Sequence, residues 1–209
     1  MHKMFSKLLV ANRGEITVRI INECKQLGIK AVAICSDVER AALHMQLADE
    51  GYCIGAAPIN ESYMNAEAII NAAIITKSDA IHPGYGFLSE NAEFAESCEQ
   101  KGISFIGPAN DTLRQVGCKI IAKEIAVSQR IPVLEWSLIE NIDEALLWAN
   151  KIGYPVMLKI SDGGGGAGMK TVFCAEELEK AFEILQTSNS GKLLIEKYVA
   201  MAQIGRAHV

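Results

Sequence analysis

The chain has 209 residues, half of them hydrophobic, with 22% charged and a formal net charge of −5. That length suits one or two domains with a sizeable core, and the acidic balance, with a pI of about 5.5, gives no electrostatic reason to expect nucleic acid. No apolar stretch approaches the roughly 18 residues of a membrane span, and residues 1–6 lack the apolar core and cleavage site of a signal peptide, so a cytoplasmic protein with neither membrane nor nucleic-acid partners is expected.

Residues 7–11 form a short apolar run, read as a buried strand. Ile16, Ile20, Cys24 and Leu27 then recur at helical spacing, and Gly28 is the stop. The alternation continues with a strand over 31–35, a helix near 43–48, a strand over 52–54, and a helix whose face is Ala66, Ile69, Ile70, Ala73 and Ile74. A strand over 79–81, a helix over 91–101 and a strand over 104–106 follow, ending in Gly107-Pro108. Strands alternating with helices at short spacing predict a parallel α/β sheet for residues 1 to about 110.

After Pro108 the pattern changes. Residues 112–130 read as mainly helical, broken at Gly117, and Asn141 with Glu144 forms a capping-box arrangement for a helix that Gly153 ends. Strands are predicted over 155–160, 169–174 and 193–198, with a helix over 176–185, giving a small α+β lobe. The six cysteines contain no CxxC pair and read as reduced core thiols; the four histidines show no metal-ligand spacing.

The strongest chemical signal is the segment 162–170, DGGGGAGMK, in which five of the six residues 163–168 are glycine. Such a run is entropically costly to order, and close approach of backbone amides to phosphate oxygens offsets that cost. Gly163 and Gly168 have Walker A spacing, but Met169 stands where that loop needs lysine, and the segment leads into a strand rather than a helix. The same objection removes a dinucleotide fingerprint. A β-hairpin flap over phosphates remains, beside the plainer reading of an exposed loop. Lys159, inside the apolar run 156–160, reads either as a phosphate-facing lysine or as a solvent-facing strand residue.

The segments ANRGEI (11–16), HPGYGFLSEN (82–91), FIGP (105–108), the tetraglycine loop and EKY (196–198), in this order and spacing, resemble biotin carboxylase. HPGYGFLSEN is the most specific of them and argues against a carbamoyl-phosphate-type ligase. The resemblance implies an α/β fold with a Rossmann-like pre-ATP-grasp domain over 1–112, and then the helical linker and glycine-flap lobe of a partial ATP-grasp domain over 113–203. It implies ATP- and bicarbonate-dependent carboxylation of biotin by way of carboxyphosphate, with ATP, Mg2+ and carrier-bound biotin as cofactors. The implied partners are biotin carboxyl carrier protein, carboxyltransferase subunits and a second copy of the full-length chain in a homodimer.

Residue by residue, Lys119, Lys159, Gly163, Gly164, Gly165, Gly166 and Gly168 resemble the ATP-phosphate contacts. Glu196, Lys197 and the backbone of Val199 resemble the adenine grip, and His82, Tyr85 and Glu90 the wall facing bicarbonate and biotin, although His82-Pro83-Gly84 also reads as a rigid turn. Ala167 departs from the family's usual Arg or Lys, Cys118 from its Asp or Asn. Arg19 matches a dimer-contact position whose neighbours Asn22 and Gln26 are uncharged.

The resemblance places the metal ligands, general base and biotin-orienting arginine further along the chain, so no catalytic residue is assigned here and the chain as given is expected to be inactive. Residues 204–209 read as the translation of a sequencing adapter, an artefact, so His208 is given no role. Acetyl-CoA carboxylase is the expected assembly. The alternatives are pyruvate, propionyl-CoA or methylcrotonyl-CoA carboxylase, or a non-catalytic nucleotide-binding remnant.

Overall fold

Successive residues of a strand face opposite ways, so a strand apolar at every position must be covered on both sides, as the first half of this chain is. The computed structural model describes residues 5–161, 168–188 and 192–202. The chain divides into two units, Met1–Gly117 and Cys118–Val209.

The first unit alternates β1 (Lys7–Val10), α1 (Gly14–Gln26), β2 (Lys30–Ser36), α2 (Leu43–Leu47), β3 (Glu50–Gly55), α3 (Ala66–Thr76), β4 (Ala80–His82), α4 (Ala92–Gln100), β5 (Ser104–Phe105) and α5 (Asn110–Gly117). Among the described residues the strands form one sheet in the order β3-β2-β1-β4-β5, with every pairing parallel. Leu9, Val32, Ile34 and Ile81 pack against Ile69, Ile70, Phe94 and Cys98 on one face. Leu8, Val10, Ala31, Ala33 and Ala80 pack against Ile20, Ile21 and Cys24 on the other. The chain therefore reverses its winding between β1 and β4, and the loops leaving the carboxyl ends of those two strands lie side by side at the topological switch point.

The second unit holds α6 (Lys119–Ser128), β6 (Trp136–Ile139), α7 (Ile142–Ile152), β7 (Val156–Ile160), β8 (Met169–Val172), α8 (Ala175–Ser188) and β9 (Leu193–Lys197). Its sheet runs β6-β9-β7-β8 and is antiparallel throughout. Val156, Leu158, Ile160, Leu193 and Ile195 face α7 and α8 through Ala145, Ala149, Leu178 and Phe182. The alternate residues Met157, Lys159, Leu194 and Glu196 occupy the opposite face.

The helical break expected at Gly117 is the gap between α5 and α6, and Gly153 caps α7 as expected. Asn141 accepts from the Glu144 amide at 2.9 Å, while the Glu144 carboxylate accepts from the amide of Glu140 rather than of the cap itself. Strand β6 was not expected: only four residues long, it has no alternation visible in the sequence and exists through its pairing with β9. Cys24, Cys35 and Cys98 are buried free thiols, and burial pushes the Cys98 thiol up to about 12.

Asn91, the last residue of the HPGYGFLSEN run, is the cap of α4, accepting from the Phe94 amide at 2.7 Å. Asn91→Ala is expected to cost about 1 kcal/mol, read from urea denaturation of the chain; unchanged stability would show that this cap does not hold α4.

Candidate functional site

In the first unit the site is built on one asparagine. Asn12 lies two residues beyond the end of β1, is 3% exposed, and donates from Nδ2 to the carbonyls of Pro83 at 2.7 Å and Tyr85 at 2.8 Å. The Ala11 amide adds a bond to the His82 carbonyl at 2.8 Å. The loop after β4 is thus tied to the loop after β1 through groups that would otherwise be buried without partners. Gly84 has φ +66, and a Cβ there would lie 2.7 Å from Asn12 Nδ2, so this position needs glycine on two counts.

His82 accepts from the Gly84 amide through Nδ1 at 3.0 Å. Burial lowers its pKa, so the ring is neutral with its proton on Nε2. Its side chain braces the turn, in line with the rigid-turn reading. Tyr85 is exposed and donates to Glu15, which raises the phenol's pKa. Glu90 is exposed and is not drawn into this cluster.

Arg13 supports the same loop from beside α1. Its guanidinium lies 5.2 Å from the Tyr63 ring centroid and 5.7 Å from that of Phe87, rings that stack on each other. Arg13 Nη1 also donates to Glu39 at 2.9 Å, and Glu39 accepts from Ser36 and Tyr63, each at 2.8 Å. Burial alone would raise the Glu39 carboxyl, but these three donors outweigh it and hold it below its ordinary value.

In the second unit the centre is Glu196, 5% exposed on the sheet face away from α7 and α8. Lys159, from β7, donates to its Oε1, and Lys123, from α6, lies 2.9 Å from its Oε2. Burial pushes the Glu196 carboxyl up, but the two ammonium groups overcome that and hold it below its ordinary value of 4.5. Lys119, one helical turn before Lys123 and so on the same side of α6, points its Nζ at the carbonyls of Ile160 and Ser161, 3.4 Å from each. Two lysines thus share Glu196, and a third lies at the end of β7.

Of the glycine-loop positions, Gly163, Gly164, Gly165 and Gly166 lie outside the described residues, as does Ala167. Gly168 has φ +79, its carbonyl accepts from the Ile160 amide at 3.1 Å, and an added Cβ would meet the Ile160 side chain at 2.6 Å. Lys170 pairs with Leu158 in the ladder and so lies on the sheet face opposite Lys159; it does not join that cluster. Lys197 likewise turns away from Glu196, donating to the Gly153 carbonyl at 2.7 Å. Val199 lies beyond β9 and is exposed.

Asn12, Arg13 and Lys123 were not among the residues expected at the site. Asn12 carried a signal, a polar residue at the end of a buried strand; Lys123 carried only its four-residue spacing from Lys119. Among the described residues, no group of three or more His, Cys, Asp or Glu could hold a metal ion, and no helix is long and apolar enough to cross a membrane.

Two family models match the chain: "Biotin carboxylase, N-terminal domain" over residues 4–113 and "Carbamoyl-phosphate synthase L chain, ATP binding domain" over residues 118–204. The chain is 46% identical over 204 residues to biotin carboxylase 1 of Bacillus subtilis, an alignment covering 94% of this chain and 45% of that protein. It is 43% identical to the mitochondrial propionyl-CoA carboxylase alpha chain of Sus scrofa, over 94% of this chain and 28% of that one. The crystal structure of the biotin carboxylase domain dimer of Hydrogenobacter thermophilus 2-oxoglutarate carboxylase, with MgADP, ADP and bicarbonate, superposes with a TM-score of 0.90 at 45% identity, covering 95% of this chain and 45% of that one. The chain thus spans less than half the length of these relatives.

Two expected outcomes follow from this geometry. Gly86 also has a positive φ, +67, but open space around it. Gly86→Ala should therefore cost about 1 kcal/mol of left-handed backbone strain, and Gly84→Ala clearly more because it also displaces Asn12; equal losses in urea denaturation would overturn the clasp. Glu196 titrates below 4.5, so its pairing stabilises the fold above that pH and is lost as pH falls through the lower folded-state value. Glu196→Gln is expected to lower Tm at neutral pH, with the difference from wild type shrinking in acid; a pH-independent difference would contradict the ionic account.

Proposed function

The chain belongs to the biotin carboxylase family, and from that premise we propose that it supplies the amino-terminal domain and nucleotide lobe for ATP- and bicarbonate-dependent carboxylation of biotin on a biotin carboxyl carrier protein. The observation that carries this reading is the pair Lys159 and Lys123 on the buried Glu196, with Lys119 at the Ile160 and Ser161 carbonyls where β7 ends. A phosphoryl-transfer site works chiefly by neutralising and positioning the transferring group, and ammonium groups held by a buried carboxylate and by backbone carbonyls suit that task.

In this reading Lys119 and Lys159 draw in the nucleotide phosphates, Gly163, Gly164, Gly165, Gly166 and Gly168 close over them, and Glu196, Lys197 and the backbone of Val199 lie along the adenine. Magnesium, when bound, adds charge neutralisation on the polyphosphate; the described residues offer no ligand cluster for it. His82, neutral and braced, and Tyr85 and Glu90, exposed on the clasped loop, form a wall for bicarbonate and biotin. The contacts that hold His82 and Tyr85 favour positioning of reactants.

We place the chain in acetyl-CoA carboxylase, working in the cytoplasm with carboxyltransferase subunits and a second copy of itself, in a role within fatty acid synthesis. The 46% identity to a protein named biotin carboxylase supports the biotin carboxylase part of this placement. The division near residue 112 into a pre-ATP-grasp domain and an ATP-grasp portion belongs to the same proposal. The 209 residues by themselves are proposed to bind nucleotide without turnover, the chemistry requiring the further length that the relatives carry.

Titration calorimetry of the chain with ADP and ATP tests the reading. Binding is expected, with a loss of roughly tenfold or more in Lys159→Ala and no biotin-dependent release of phosphate. Failure of the wild-type chain to bind either nucleotide, or biotin-dependent turnover by the chain alone, would each overturn the corresponding part.

A further inference from the structure

Lys123 matches no residue assigned above to nucleotide contact, yet it occupies half of the ionic cluster. Its Nζ lies 2.9 Å from one oxygen of Glu196 while Lys159 takes the other. It also sits 5.8 Å from the centroid of the Trp136 ring, on the strand beside β9. One buried carboxylate therefore has two ammonium partners, one for each oxygen, delivered by different elements.

The arrangement has a consequence for ligand binding. Lys159 stands in β7 four positions ahead of Gly163, and in the free chain its ammonium is held by Glu196. A phosphate arriving at the loop must compete for it. With Lys159 as the sole partner, that transfer would leave a buried carboxylate unpaired, which is strongly unfavourable. With Lys123 in place, Glu196 keeps a partner throughout, and the three side chains carry a net positive charge rather than none.

We propose that Lys123 is a positioning residue for nucleotide binding: it keeps Glu196 paired so that Lys159 can turn its ammonium to the polyphosphate. The inference rests on the nucleotide-binding reading above and adds a residue to it. The effect is on the phosphates alone, so affinity for ADP relative to adenosine is the quantity it controls.

Calorimetric titrations with adenosine and ADP on the wild-type chain, Lys123→Met, Lys123→Arg and the double variant Lys123→Met/Glu196→Gln test it. In Lys123→Met the preference for ADP over adenosine is expected to fall roughly tenfold or more, since Lys159 is then tied to an otherwise unpaired carboxylate. Lys123→Arg should restore it. The double variant should recover it as well, because removing the carboxylate charge frees Lys159, whatever it does to adenosine binding. An unchanged preference in a folded Lys123→Met chain overturns the proposal while leaving the nucleotide reading intact. Equal weakening of both ligands with a lowered Tm assigns Lys123 a purely structural role and also overturns it. A wild-type chain that binds no ADP overturns the nucleotide reading and this inference together.

Discussion

Burying a carboxylate is unfavourable unless charge and hydrogen bonds compensate, and Glu196, 5% exposed, places that demand at the centre of the second unit. Meeting it brings α6 onto the helix-free face of the antiparallel sheet by way of Lys123, and holds Lys159 from β7 on the same face. The opposite face is filled by α7 and α8 packed on Val156, Leu158, Ile160 and Ile195. One side of the sheet is therefore apolar, and the other carries the Lys159–Glu196–Lys123 cluster beside Met157 and Leu194. The glycine loop opens from β7, the strand that carries Lys159.

The first unit meets a similar demand with neutral groups. Asn12, 3% exposed, sits where β1 ends and spends its amide on two carbonyls of the neighbouring loop. Its position follows from topology: at the β1–β4 switch point, where the strand order reverses, two adjacent strands feed loops that lead to helices on opposite faces of the sheet. The Arg13–Glu39–Tyr63 network braces the same loop from outside.

Much of this was legible in the sequence. The parallel order follows from buried runs such as 30–36 alternating with helices such as 14–26, and the caps Asn91 and Asn141 were readable from residue type and spacing. β6 was not, because a four-residue strand defined by its partner has no periodicity of its own. Lys170 and Lys197 show the limit for side chains. Both lie close in sequence to site residues, yet ladder register turns Lys170 to the other face, and Lys197 is held by the Gly153 carbonyl.

The sequence by itself determined the strands and helices other than β6, where the glycine loop falls and which family the chain resembles, because those depend on local periodicity and on short motifs. Only the tertiary structure decided that Glu196 is shared by two lysines, that Asn12 closes the switch-point loop and that Lys123 belongs with the site. Those are contacts between residues 37 to 73 positions apart. Their existence depends on strand register, sheet face and burial, which no single segment carries.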